Sequence, residues 1–426
     1  MPKKPPAKPI HKAQLSARAQ AWGLLATMLG EGRTLDEALH NHPLRGGEAD
    51  QRFAMLLALT TVQHLGQLDA LLAGYLDKPL PPKRLPITNA LRMGLAQLLL
   101  LDTPPHAAVN ETVELVKTSK DGGLAGLVNA ILQKAARERP TLPDAVVNLP
   151  AWLRARWEAA YGADTVRAMA AVAMQRPPLD INSATDMDGA TRLDAHMLRM
   201  DAAHDAVETL AGYGEGAFFI QDLAASYPVR LLGDVRELQV LDLCAAPGGK
   251  AMQLARAGGF VTALDRSPGR MKRLKENMAR LQLGVNVVTG DVLEWQPNRA
   301  YDAILLDAPC TATGTWRRHP EVVQILDEND IAELAKLQRR MLERAWGFLK
   351  PGGKLVYCVC SLEPEEGEAQ AAWFLGAQAD AALVPVDAAS EIPAECITSG
   401  MLRTLPSHLA ERGGMDGFFA VCFLKR

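Results

Sequence analysis

Between residues 13 and 139 apolar positions recur at helical spacing, broken by short turns at His42-Pro43, Pro81-Pro82 and Pro104-Pro105. Across 111–117, for example, Val113 and Val116 are apolar while Glu111 and Glu114 are polar, the two-sided pattern of a helix packed along one face. The pattern predicts an all-α bundle over 13–140, preceded by a basic tail over 1–12 that carries Lys3, Lys4, Lys8 and Lys12. The proline-punctuated stretch 139–150 reads as a linker. Residues 151–175 read as helical and 178–182 as a short strand, which makes 141–220 a linker plus a small α+β connector. Beyond that, short apolar runs at 238–243, 260–264, 285–289, 301–306 and 354–359 alternate with helical stretches, and 417–424 supplies a last strand. Such alternation predicts a doubly wound, Rossmann-like α/β domain over 221–426, a parallel sheet with helices on both faces.

Composition narrows the class. A chain of 426 residues exceeds what one hydrophobic core fills, so a multidomain protein follows. With 48% hydrophobic and 22% charged residues it is an ordinary folded protein and not a disordered one. Its apolar runs fall short of the roughly 20 residues that span a bilayer. No apolar run follows the lysines of the tail, so a cytoplasmic protein with no membrane partner is expected. Six cysteines without a C-x-x-C spacing favour reduced thiols over a disulfide scaffold or a zinc site, so no metal is expected. The net charge of -3 requires any nucleic-acid partner to find a local basic surface. A monomer is the default expectation.

In doubly wound sheets ligands sit beyond the carboxyl ends of the strands, which directs attention to the loop after the first strand. That loop is Cys244-Ala245-Ala246-Pro247-Gly248-Gly249-Lys250. Its glycines allow close backbone approach, but the spacing is not G-x-G-x-x-G, so a nucleoside without a pyrophosphate fits better. Asp265, Asp291 and Asp307 close the next three strands. Singly, each would be a cap or turn residue. Together they suit an adenosine-bearing cofactor, with Asp265 on the ribose hydroxyls, Asp291 on the adenine amine and Asp307 beside the reacting end.

The fourth strand ends in Asp307-Ala308-Pro309-Cys310, and the fifth in Tyr357-Cys358-Val359-Cys360-Ser361-Leu362-Glu363-Pro364-Glu365-Glu366. Neighbouring strands bring these thiols close. With the Cys244 to Lys250 loop and Gly414-Met415-Asp416-Gly417-Phe418-Phe419, these motifs resemble the RNA (cytosine-5) methyltransferases of the RsmB and Sun type. In the helical half, 101–115 and Gly126-Leu127-Val128-Asn129-Ala130-Ile131-Leu132 resemble the NusB family of RNA-binding domains. The resemblance implies S-adenosyl-L-methionine as cofactor and RNA, from the small ribosomal subunit, as partner. It further implies that Cys360 attacks cytosine C6, that Asp307 takes the N3 edge and that Cys310 assists release. The chemistry agrees with a thiol: cytosine C5 is a poor nucleophile until a thiolate adds at C6.

Free cysteines usually act as small buried hydrophobes, the reading preferred for Cys244, Cys396 and Cys422 as thiols. This chain departs from the family at Cys358, Val359 and Gly367, and strand alternation puts Cys358 on the face that carries Cys360. After Cys310, Trp316 is expected to stack a base, while Arg317, Arg318 and Lys250 are expected to contact phosphates. Gln221-Asp222 resembles a substrate-side motif of the same family. Two alternatives stay open: a DNA cytosine-5 methyltransferase attacking through Cys310, and a non-catalytic RNA-binding assembly factor.

Overall fold

The computed structural model describes residues 16–201, 206–387 and 390–426, so the basic tail with its four lysines lies outside the described residues. In the first unit, which ends at Ala151, the regular structure is helical. Its helices are α1 (Ala17–Glu31), α2 (Leu35–Asn41), α3 (Glu48–Gln63), α4 (Leu65–Tyr75), α5 (Leu85–Leu99), α6 (Pro105–Lys117) and α7 (Ala125–Glu138). Local chemistry sets their ends: Ser16 caps α1, Gly32 closes it at φ 63°, and Thr34 with Glu37 forms a capping box on α2. Val109, Val113 and Val116 of α6 bury against Leu91 and Leu95 of α5 and Val128 and Leu132 of α7.

Segment 141–150 packs into this first unit. The Gln67 amide N–H donates to Asn148 Oδ1 at 2.9 Å, and Gln67 Nε2 donates to the Pro143 carbonyl at 2.6 Å. Gly66 passes so close that an added Cβ would sit 1.9 Å from the Val147 carbonyl oxygen. These contacts move the division of the chain from the neighbourhood of residue 140 to Ala151.

The second unit opens with two helices, α8 (Ala151–Tyr161) and α9 (Ala163–Ala173), where periodicity alone predicts one; Gly162 at φ 86° separates them. A small antiparallel sheet follows, from β1 (Leu179–Ser183), β2 (Ala190–Arg192), β3 (Met197–Met200) and β4 (Phe218–Ile220), in the order β2-β3-β1-β4. A bidentate Arg199–Asp180 pair, at 2.6 and 2.8 Å, lies buried in it.

Then come α10 (Leu223–Arg230), β5 (Gln239–Leu243), α11 (Gly249–Arg256), β6 (Phe260–Asp265), α12 (Pro268–Arg280), β7 (Val285–Thr289) and β8 (Tyr301–Asp307). The chain continues through α13 (Val322–Ile325), α14 (Glu328–Phe348), β9 (Leu349–Val359) and α15 (Glu368–Ala377). It finishes with β10 (Ala381–Val384), β11 (Ile397–Thr398), β12 (Met401–Thr404) and β13 (Phe418–Lys425). The large sheet runs β11-β12-β13-β9-β8-β5-β6-β7, with β10 also paired to β13. Strands β9, β8, β5, β6 and β7 are parallel, and β13 is antiparallel to β9. One face is covered by a cluster including Leu254, Leu274 and Met278 of α11 and α12, the other by Leu342, Trp346 and Phe374 of α14 and α15. Strand order reverses between β5 and β8, which opens a crevice at their carboxyl ends. Among the described residues no helix is long and apolar enough to cross a membrane.

Candidate active site

A cavity of about 230 Å³ occupies that crevice. Cys244, Asp265, Asp291, Asp307, Cys310 and Cys360 all line it, so six of the residues singled out from the sequence meet at one cavity. Ala245 to Lys250 do not line it. They turn behind it, with Gly248 at φ 116° and its hypothetical Cβ only 3.1 Å from Leu274 Cγ. Asp265 holds this turn: Oδ2 accepts from the Ala246 N–H at 3.2 Å and Oδ1 from the Ser267 N–H at 2.8 Å. Asp291 Oδ1 accepts from the Leu293 N–H at 2.8 Å. Sequence reasoning missed Arg270, which donates to the Ala246 carbonyl and stands 3.8 Å from Asp265, and the apolar lining residues Val292, Leu337 and Met341.

The sulfurs of Cys310 and Cys360 lie 3.5 Å apart at the ends of β8 and β9. Backbone bonds fasten the two loops, Ala308 N–H to the Cys358 carbonyl and Gly314 N–H to the Cys360 carbonyl, each at 3.0 Å. The hydrogen bond to Cys360, then burial, hold the Cys310 thiol well above the usual range. Cys358 is buried with its Sγ 3.6 Å from Asp307 Oδ1, and burial pushes its thiol up as well. Lys250 is buried and places Nζ 2.8 Å from Asp307 Oδ2 and 4.8 Å from the Phe418 ring centre. Burial pulls the ammonium down, but Asp307 outweighs it and Lys250 is raised. Asp242 on β5 is fully buried with neither carboxyl oxygen hydrogen-bonded, and burial raises it well above the carboxylate range.

The basic residues expected on phosphates all have acidic partners within the fold. Arg317 is 2% exposed; its Nη2 donates to Asp222 Oδ2 at 2.6 Å and to Asp416 Oδ1 at 3.4 Å. Arg318 donates from Nε to both oxygens of Asp416 at 2.9 and 3.1 Å. Trp316 is buried against Trp157, with ring centres 5.8 Å apart, and so offers no stacking surface. Lys250 is likewise paired with Asp307. These basic groups hold loops together because acidic partners distant in sequence, Asp222 and Asp416, reach them in the fold. The Asp416 N–H in turn donates to Asp222 Oδ1 at 3.1 Å.

Residues 229–424 match the model of the 16S rRNA methyltransferase RsmB/F family, and residues 15–137 match that of the NusB family. The ribosomal RNA small subunit methyltransferase B of Pectobacterium atrosepticum is 34% identical over 440 residues, covering 97% of this chain and 100% of that protein. That of Salmonella arizonae is 35% identical over 444 residues, with the same coverage. The solved structure of PH0851 shares the fold at a TM-score of 0.74 and 23% identity, over 96% of this chain and 99% of that one. Fold and relatives together define a methyltransferase. The chain belongs to the RsmB/F family of 16S rRNA methyltransferases.

Proposed function

We propose that the protein transfers a methyl group from S-adenosyl-L-methionine to C5 of a cytosine in small-subunit ribosomal RNA. The observation that carries this reading is the pair of sulfurs 3.5 Å apart on the wall of a cavity ringed by Asp265, Asp291 and Asp307. The cavity suits the donor: carboxylates at the strand ends for ribose and adenine, and apolar Val292, Leu337 and Met341 for the base plane. Bound there, S-adenosylmethionine supplies an electrophilic methyl group on a sulfonium. The protein works as a cytoplasmic monomer in this reading, with the NusB-like unit on the RNA.

The chain's own residues then divide the work. A Cys360 thiolate adds to cytosine C6, and the electrons of the C5–C6 double bond make C5 nucleophilic. Asp307, fixed by Lys250, takes the N3 edge, and the ammonium beside it offsets the negative charge that addition places on the ring. Once C5 carries the methyl group, Cys310 removes the C5 proton. The C–H electrons re-form the double bond, and the C6–S bond breaks to return Cys360 as thiolate. The Cys310 sulfur, 3.5 Å from that of Cys360, stands where it can reach the same pyrimidine ring.

Incubation with methyl-labelled S-adenosylmethionine and a full-length small-subunit ribosomal RNA transcript, followed by digestion to nucleosides, is expected to yield labelled 5-methylcytidine. Label in another nucleoside, or none, overturns the reading. Asp265→Ala is expected to weaken S-adenosylmethionine binding by roughly 10- to 100-fold, the worth of one charged hydrogen bond or more. Calorimetric titration measures it, and an unchanged affinity removes Asp265 from the cofactor site.

A further inference from the structure

Behind the two sulfurs lies a buried polar cluster to which the mechanism assigns no role. Glu366 is fully buried, and its Oε1 accepts from the Thr311 N–H at 3.1 Å and from Gln338 Nε2 at 2.8 Å. Its Oε2 accepts from the hydroxyls of Thr311 and Ser361, each at 2.5 Å. Gln338, also fully buried and presented by α14, donates at the same time to the Pro309 carbonyl at 3.0 Å. Gln370 Nε2 donates to Gln338 Oε1 at 3.2 Å, and Tyr357 Oη donates to the Glu366 carbonyl at 2.6 Å.

Two features separate this cluster from ordinary filling. A buried carboxylate is costly unless its oxygens are satisfied, and an apolar side chain of equal size would occupy the space more cheaply. The bonds also converge on the thiols. Pro309 and Thr311 are the residues on either side of Cys310, and Ser361 follows Cys360 directly. We infer that Glu366 and Gln338 are positioning residues that hold Cys310 against Cys360 and thereby set the rate at which the methylated RNA is released. The inference rests on the roles proposed above for the two cysteines. Gln338 grips the Cys310 loop through Pro309, whereas Glu366 grips both loops. Removing Gln338 therefore affects release, and removing Glu366 affects attack as well.

The test uses the full-length protein, S-adenosylmethionine and a small-subunit ribosomal RNA transcript, with the covalent protein–RNA complex read on a denaturing gel. Cys310→Ser serves as benchmark and accumulates the complex. Gln338→Ala is expected to accumulate it too, with release and kcat slowed roughly 100-fold, the effect of a displacement near 1 Å, and KM for S-adenosylmethionine unchanged. Glu366→Ala is expected to slow formation and release alike, and Glu366→Gln, which keeps the shape and an acceptor oxygen, to restore most of the loss. Calorimetric binding of S-adenosylmethionine checks that each variant is folded. Should Glu366→Ala not fold, Gln338→Ala and Glu366→Gln decide the matter. If Cys310→Ser traps RNA while Gln338→Ala releases it as fast as the unmodified protein, or loses formation and release equally, the positioning role fails. If Cys310→Ser traps nothing, the assignment of the cysteines falls and this inference falls with it.

Discussion

Cys310→Ser is expected to leave the protein covalently attached to its RNA, whereas Cys360→Ser is expected to abolish both the covalent complex and turnover. The geometry makes the contrast sharp because both thiols line the same cavity 3.5 Å apart, so either could reach a pyrimidine ring. Only the order of events distinguishes them. A serine at 360 replaces the attacking thiolate with a far weaker nucleophile, and turnover should fall by roughly 10⁴-fold or more, as it does when nucleophiles are removed elsewhere. A serine at 310 leaves attack and methyl transfer intact but removes the group that takes the C5 proton, so the adduct forms and persists. Denaturing electrophoresis with labelled RNA reads both outcomes. The reverse pattern, trapping by Cys360→Ser and silence from Cys310→Ser, makes Cys310 the nucleophile, as in the DNA-type reading.

Arg317→Ala is expected to lower the stability of the catalytic unit by about 3–5 kcal/mol, because buried Asp222 loses its nearest cation while Arg318 goes on holding Asp416. Asp222 and Asp416 are both buried, and Arg317 Nη2 lies within 3.4 Å of each. Burial, then the neighbouring Asp416, already pushes Asp222 up to about 6; for Asp416 the burial penalty is outweighed by Arg318 and Arg317, and its carboxyl is held low. Differential scanning calorimetry should record a fall in Tm of about 10 °C or more. A phosphate-binding arginine behaves differently: its loss leaves Tm nearly unchanged and flattens the salt dependence of RNA binding. That second result would return Arg317 to the RNA surface.

The contrast explains which parts of this molecule are readable from its sequence. Interior parallel strands are continuous apolar runs between turn residues, so β5, β6, β7 and β8 could be placed to within about a residue. β9 was readable only from 354. Its start at Leu349 includes Pro351-Gly352-Gly353, which reads as a turn and is accommodated by a register shift opposite Tyr301 and Ala303. Half-buried β10 and the two-residue β11 carry too little pattern to detect. That Asp265, Asp291, Asp307, Cys310 and Cys360 line one cavity was legible because topology alone puts strand ends at one crevice. The acidic partners of Arg317 and Lys250 were not legible, because local context makes a basic side chain look solvated. Those partners, Asp222, Asp416 and Asp307, are reached only through long-range folding. Glu366 stood within a recognised motif, yet its bonds to Thr311 and Gln338 need coordinates.

The antiparallel strand β13 has a consequence for biosynthesis. It lies between β9 and β12, yet it is the last of the three to be synthesised. Until residues 418–425 emerge, β9 presents to the cell an unpaired edge carrying Leu355, Val356, Tyr357 and Val359, all of them interior in the finished sheet. A bare apolar edge invites pairing with other chains. A chain that ends between β9 and β13 therefore keeps this apolar edge bare and is expected to aggregate more readily than the full-length protein.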